Sequence, residues 1–151
     1  MDDRVRSVDG GVVVPGEVSG NALVTRQGFS SLASFYGSLV SGASTAICSD
    51  QDNPDLFGRA LTGKILCLPY TTGSTSAGAT WDRVASLGIA PLAMLFSEPV
   101  DSLAVAGLLL AEIWAGAPIV AIDRLGEEFL DFVEDDSRVE VGPGGRVLVC
   151  K

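Results

Sequence analysis

The sequence predicts a mixed α/β fold in which antiparallel strands flank a parallel α/β middle. Three apolar runs, residues 64–69, 91–96 and 118–123, are typical of strands buried inside a two-sided sheet. Segments with helical character separate them, which favours parallel strands joined by right-handed crossovers. At the end of the chain, residues 138–141 and 146–150 are separated by a Gly/Pro-rich turn and predict a β-hairpin.

The first half of the chain carries weaker signals. Residues 12–14 and 17–25 alternate well enough to predict two strands around a Pro15-Gly16 turn. Residues 27–44 are rich in Ser and Gly and predict an irregular surface segment, followed by a short strand at 45–48 and a loop at 50–58. No repeat or low-complexity linker interrupts the sequence, so we expect a single domain over residues 1–151.

Composition narrows the class of protein. The chain has 151 residues, 47% hydrophobic and 19% charged, with 19 acidic against 10 basic residues and a net charge of −9. This balance argues against binding to nucleic acid or to an anionic membrane surface, because both need clustered Lys and Arg. The polar start predicts no signal peptide, and the longest apolar stretch, residues 103–111, is far short of the ~20 residues of a membrane helix. We expect a cytoplasmic protein.

Cysteine and histidine usage limits the possible chemistry. Cys48, Cys67 and Cys150 are widely spaced, and the chain has no histidine. The chain therefore cannot form a His-containing zinc site or a four-thiolate site by itself, and a Ser-His-Asp triad is excluded. We expect reduced, mostly buried thiols and no metal on this chain.

The segment from residue 63 to 78 is the most informative for function. A strand ends at Pro69, and hydroxyl side chains then gather before a helix that is predicted to begin near Ser74 or Thr75. Free N–H groups at a helix start favour a carboxylate or phosphate. Ser and Thr are also ordinary N-cap residues, so a purely structural role stays open. The segment lacks the lysine of a Walker A loop and the spacing of a dinucleotide turn.

Carboxylates are a second group of candidates. Glu98, Asp101 and Asp123 follow apolar strands, where α/β proteins place ligand-binding groups. By contrast, residues 127–128 and 134–136 are predicted to be solvated surface.

Residues 103–111 of the helix predicted at 102–114 have no polar face, unlike a typical surface helix. Either it is sandwiched within this domain, or another chain covers one side.

Several segments, taken in order, resemble the small subunit of the aconitase X family. No single motif is specific, but the ordered set covers nearly the whole chain. The matching segments are residues 16–17, 20–24, 53–58, 61–69, 73–76, 90–91 and 98–99.

The resemblance implies a swivelling β/β/α domain, comparable to the mobile domain of aconitase, that closes over a large subunit with an iron–sulphur centre. It also implies a hydro-lyase that is inactive without that large subunit. Two reactions are associated with the family: dehydration of cis-3-hydroxy-L-proline to pyrroline-2-carboxylate in bacteria, and of phosphomevalonate in archaea.

The resemblance also implies a catalytic residue: the serine that acts as base in aconitase-like enzymes matches Ser74. From the hydroxyl-rich helix start we expect Thr72, Gly73, Thr75 and Ser76, with the helix-start N–H groups, to hold the substrate carboxylate. Where the aconitase loop continues with arginine, this chain continues with Thr75, so any cation that assists Ser74 must come from elsewhere.

The loop segment bears on the substrate, and two other segments bear on the contact with the partner. The stretch between Leu68 and Trp81 contains no Arg or Lys, which favours cis-3-hydroxy-L-proline over phosphomevalonate. The contact with the large subunit is expected near the helix at 102–114 or around Phe35-Tyr36. A non-catalytic interaction domain with a merely capped loop remains the rival hypothesis.

Overall fold

The computed structural model describes residues 3–73 and 75–151, without the side chains of residues 75–78. Strands and helices alternate through most of the chain, and a short 3₁₀ turn, Pro143–Gly145, lies in the C-terminal hairpin. The strands are β1 (Val5–Asp9), β2 (Gly11–Val14), β3 (Val18–Val24), β4 (Phe29–Ser30), β5 (Ile65–Leu68), β6 (Thr71–Thr72), β7 (Ala93–Phe96), β8 (Val120–Asp123), β9 (Arg138–Val141) and β10 (Arg146–Cys150), and the helices are α1 (Ser31–Ser41), α2 (Thr75–Ser86), α3 (Ser102–Ile113) and α4 (Glu127–Phe132).

The main sheet has eight strands in the order β1-β10-β9-β3-β5-β7-β8-β2. Strands β3, β5, β7 and β8 pair in parallel, whereas β1, β10 and β9 on one side and β2 on the other pair antiparallel. The predicted parallel middle, its antiparallel flanks and the C-terminal hairpin are therefore confirmed. The short strands β4 and β6 form a separate parallel pair.

Two hydrophobic cores lie on opposite faces of the parallel strands. Leu66 of β5 faces a core that includes Phe35 of α1, Trp81 of α2 and Leu108 of α3. The next residue, Cys67, faces a core built with β9, β10 and α4. Successive side chains of a strand point to opposite faces. Helices α1, α2 and α3 therefore cover one face of the parallel strands, and β9 and β10 of the same sheet, with α4, cover the other. This is the predicted β/β/α order of layers.

The prediction of an irregular segment at residues 27–44 was wrong. Helix α1 occupies most of it, with the Ser30 side chain accepting a hydrogen bond from the Ala33 N–H and with Gly42 at the left-handed C-cap. Its inward face is made of small serines and Phe35, which is fully buried. Phe35 packs edge-on against Trp81, with ring centroids 5.7 Å apart. Tertiary packing thus overrides the weak helix propensity of Ser and Gly.

The predicted strand at residues 45–48 is also absent from the described structure, which shows only an isolated bridge between Ile47 and Ala60. Side chains take up its backbone groups instead: the Ile47 N–H donates to Ser38 Oγ over 2.9 Å, and the Ala46 N–H donates to Thr62 Oγ1 over 2.7 Å. Strand β1 and helix α4 were not predicted from the sequence, because β1 is largely exposed and α4 has only six residues.

Helix α3, which is apolar on all sides over residues 103–111, is buried on one side only. One side, including Leu108 and Ala111, is buried against α2 and the sheet. The opposite side is exposed: Leu103, Leu109, Ile113 and the C-cap residue Trp114 are 40%, 38%, 70% and 75% accessible. The domain therefore covers only one side of this helix.

Candidate functional site

The parallel strands β5, β7 and β8 all end at one edge of the sheet, and the predicted loop leaves from that edge. After β5 the chain runs through Pro69 and Tyr70 into β6, where Thr71 pairs with Phe29 and Thr72 with Ser30. Helix α2 begins at Thr75. The hydroxyl-rich loop therefore lies at the carboxyl edge of a parallel sheet, where α/β proteins bind ligands.

Thr71 joins this loop to the start of α3. Its hydroxyl donates a hydrogen bond to Asp101 Oδ1. The second carboxylate oxygen, Oδ2, accepts from the N–H groups of Leu103 and Ala104, each at 3.1 Å, and so caps α3. Thr71, which was not among the predicted site residues, therefore makes this link to α3.

The structure locates the predicted site residues only in part. Thr72 and Gly73 are exposed and lie just before α2. Gly73 has φ 121°, a conformation that favours glycine. Thr75 and Ser76 fall in the first turn of α2, although their side chains lie outside the described structure, and Ser74 lies outside it entirely. Their roles stay predictions.

Gly28 allows the loop to lie close to the β3–α1 connection. A Cβ atom at Gly28 would be 2.7 Å from Tyr70 Cε2 and 2.8 Å from Thr72 Cγ2, both closer than real Cβ contacts. The Phe29 N–H also donates to the Tyr70 carbonyl oxygen over 3.0 Å. Sequence reasoning missed Gly28, because only the fold brings it next to residues 70–72.

Arg26 is a cation that the sequence analysis did not connect with the loop. Asp55 Oδ2 accepts hydrogen bonds from the Arg26 N–H at 2.9 Å and from the Thr25 hydroxyl at 3.0 Å. The guanidinium pairs with Asp131 over 2.7 Å. The only signal in the sequence was the position of Arg26, two residues after an apolar strand. The loop at 50–58 thus holds the arginine at the carboxyl edge.

A cavity of about 340 Å³ lies between Arg26 and the start of the loop. Its lining combines one guanidinium, three carboxylates, two hydroxyl side chains and two apolar side chains. These residues are Arg26, Pro69, Tyr70, Ser97, Glu98, Glu127, Leu130 and Asp131.

The carboxylates that were predicted at strand ends have different environments. Asp123 is buried, and its Oδ2 accepts a hydrogen bond from the Val100 N–H at 2.9 Å, which makes it structural. Asp101 caps α3, and Glu98 is exposed at the cavity. The segments at 127–128 and 134–136 are exposed as predicted, but Asp135 also accepts from the Val24 N–H and pairs with Arg59.

The thiols do not form a metal site. Cys48 and Cys67 lie in opposite cores, and burial raises the pKa of both thiols above its ordinary value. Within residues 3–73 and 75–151 no group of three or more Cys, Asp or Glu side chains is arranged to hold a metal ion. The described residues therefore do not fit an iron–sulphur centre. No helix of the described structure is long and apolar enough to cross a membrane.

The β/β/α layers and the loop at the carboxyl edge define a swivel domain, and comparison with known families agrees. The family described as "Aconitase X swivel domain" matches residues 7–149. The chain belongs to this family.

Curated relatives and solved structures extend the comparison. The chain is 34% identical to the phosphomevalonate dehydratase small subunit of Methanothermobacter thermautotrophicus, over 89% of this chain and 92% of that one. It is 32% identical to the subunit of the same name in Methanothrix thermoacetophila, over 99% and 94%. Its fold matches Thermococcus kodakaraensis aconitase X in the holo form, with a TM-score of 0.80 at 21% identity over 97% and 99% of the chains. A UPF0107 protein solved by solution NMR matches with a TM-score of 0.76 at 22% identity, over 97% and 100%.

Proposed function

We propose that this chain is the small subunit of an aconitase X-type dehydratase and has no activity without a large subunit. The observation that carries the proposal is the family match over residues 7–149, together with relatives named as small subunits of a dehydratase. Residues 1–151 would then act as one swivelling domain in a cytoplasmic enzyme.

In the proposed reaction Ser74 takes the proton from the substrate, while Thr72, Gly73, Thr75 and Ser76 hold its carboxylate with the N–H groups at the start of α2. A helix start stabilises a nearby negative charge by about 0.3–1 kcal/mol, and by ~2 kcal/mol when partly buried. That is little help for a serine, which is a weak base. The site must therefore be closed, dry and supplied with a positive charge when it works.

The metal belongs to the partner in this proposal. An iron–sulphur centre on the large subunit would supply a Lewis acid for the leaving hydroxyl group. The present chain would contribute the base, the anion-binding helix start and the closing motion, and the burial of Cys48 and Cys67 in opposite cores is consistent with that division.

Phosphomevalonate is the first candidate substrate, because it appears in the names of three archaeal relatives that are 32–34% identical to this chain. cis-3-Hydroxy-L-proline is the second candidate. One observation supports this second candidate. Residues 69–80 contain no Arg or Lys, and the nearby Arg26 is already paired with Asp131, so the described loop offers little free positive charge to the phosphate of phosphomevalonate.

Co-expression with a candidate large-subunit gene tests the proposal. We expect the two chains to co-purify and the complex to dehydrate one of the two substrates, with neither chain active alone. Activity of the large subunit alone would instead support the non-catalytic interaction domain. Turnover of cis-3-hydroxy-L-proline but not of phosphomevalonate would reverse the order of the substrates.

A further inference from the structure

The cavity beside the loop has a strongly negative lining. Glu98, Glu127 and Asp131 contribute three negative charges and Arg26 contributes one positive charge, which leaves −2. Arg26 is already paired with Asp131. Neither Glu98 nor Glu127 makes an ion pair with a residue that the structure describes. Two free carboxylates therefore border one cavity.

Ser97 adds a hydrogen-bonding group to the cavity lining. The residue lines the cavity and is 7% exposed. Its backbone is fully used, because the N–H donates to Leu68 and the carbonyl oxygen accepts from Gly126. Its hydroxyl, however, makes no hydrogen bond to another described residue, and its oxygen is not sealed from solvent. It can therefore donate a hydrogen bond to an occupant of the cavity or accept one from it.

We propose that this cavity receives a basic side chain, Lys or Arg, of the large subunit, held by Glu98, Glu127 and the Ser97 hydroxyl. The proposal rests on the proposed function, since it requires that subunit. A substrate with a carboxylate or phosphate is a poor occupant, because it would face a net charge of −2. A basic side chain carries no negative charge of its own, and its ammonium or guanidinium can bond both carboxylates and the hydroxyl.

The position of the cavity gives the contact a consequence for the site. Tyr70 belongs both to the cavity lining and to the segment that leads into the loop. A cation seated there would bring positive charge toward the loop, which has no Arg or Lys of its own. The chain as a whole carries −9, so charge complementarity would also speed association with a basic surface.

The test measures the Kd for the purified large subunit at low and at physiological ionic strength. Glu98→Gln combined with Glu127→Gln should raise the Kd about tenfold or more at low salt and flatten its salt dependence. Ser97→Ala should give a smaller increase. Glu140→Gln, an exposed carboxylate on β9 away from the cavity, is the matched control and should leave both quantities unchanged.

An unchanged Kd and salt slope in the double variant, with its melting temperature preserved, would overturn the inference. Saturable binding of free L-proline to the isolated chain, lost in the double variant, would also overturn it by assigning the cavity to a small molecule. If the unmodified chain formed no complex at all, the proposed function would fail instead.

Discussion

The Thr71 hydroxyl donates a hydrogen bond to Asp101, the same carboxylate that caps helix α3. One side chain therefore fixes the direction of the site loop and the start of a neighbouring helix. The loop after β5 is held from the α3 side by Asp101 and from the β3 side through Gly28 and β4. Both contacts come from residues distant in sequence.

Asp101→Ala should lower the free energy of unfolding by about 1–2 kcal/mol, because the cap of α3 is lost. It should also reduce turnover of the complex, since the loop is released. Thr71→Val separates the two effects: it removes the link but keeps the cap, so stability should change little while turnover falls. Denaturant unfolding and turnover on both variants check this. Equal turnover in Thr71→Val and the unmodified chain would show that the link does not position the loop.

Phe35→Ala should destabilise the chain by about 3–5 kcal/mol, as expected for a buried aromatic residue. Phe35 is fully buried against Phe29 and Trp81. Tyr36→Ala is the matched control: the neighbouring side chain is 60% exposed, and its loss should change stability by no more than ~0.5 kcal/mol. Urea unfolding of the isolated chain measures both. Similar losses for the two variants would contradict the inward orientation of α1.

The buried strands and helix α1 differ in how well the sequence predicts them. The buried strands β5, β7 and β8 were predictable, because a short continuous apolar run between turn residues is typical of a strand covered on both faces. Helix α1 was not predictable, because its buried face consists mainly of serines. A segment rich in Ser and Gly has the composition of a loop, even where its small side chains pack closely in a helix. At the site, the loop after Pro69 could be predicted, but Gly28, Arg26 and the Thr71–Asp101 bond depend on which strands become neighbours.

Polar substitution of the exposed side of α3 should weaken binding to the large subunit. Ile113→Gln and Trp114→Gln remove apolar surface that is 70% and 75% exposed, so the isolated chain should keep its stability. Leu87→Gln, also exposed but just past the end of α2, is the control and should bind normally. Gel filtration and Kd measurements distinguish the outcomes. Normal binding by both α3 variants would move the contact elsewhere, with Tyr36 the next residue to substitute.

Native alkylation should modify Cys150 and spare Cys48 and Cys67, which are buried. Burial raises the pKa of both buried thiols, so their thiolates are rare at mildly alkaline pH and protected from reagent. Mass spectrometry after iodoacetamide treatment checks this result. Fast labelling of Cys67 in folded protein would contradict its burial.

The same pKa shift predicts a lower free energy of unfolding at high pH. The folded state favours the neutral thiols, and this contribution to stability is lost as the pH rises through their raised pKa values.

The central claim is that Ser74 of this chain is the base of a dehydratase completed by a large subunit. The most direct measurement is turnover and melting temperature of the Ser74→Ala complex, with Ser86→Ala at the far end of α2 as control. We predict a rate lower by at least about 10²–10⁴-fold with the complex intact. If Ser74 only caps α2, the substitution should instead cost about 1 kcal/mol of stability and leave turnover per folded complex nearly unchanged, which would contradict the claim.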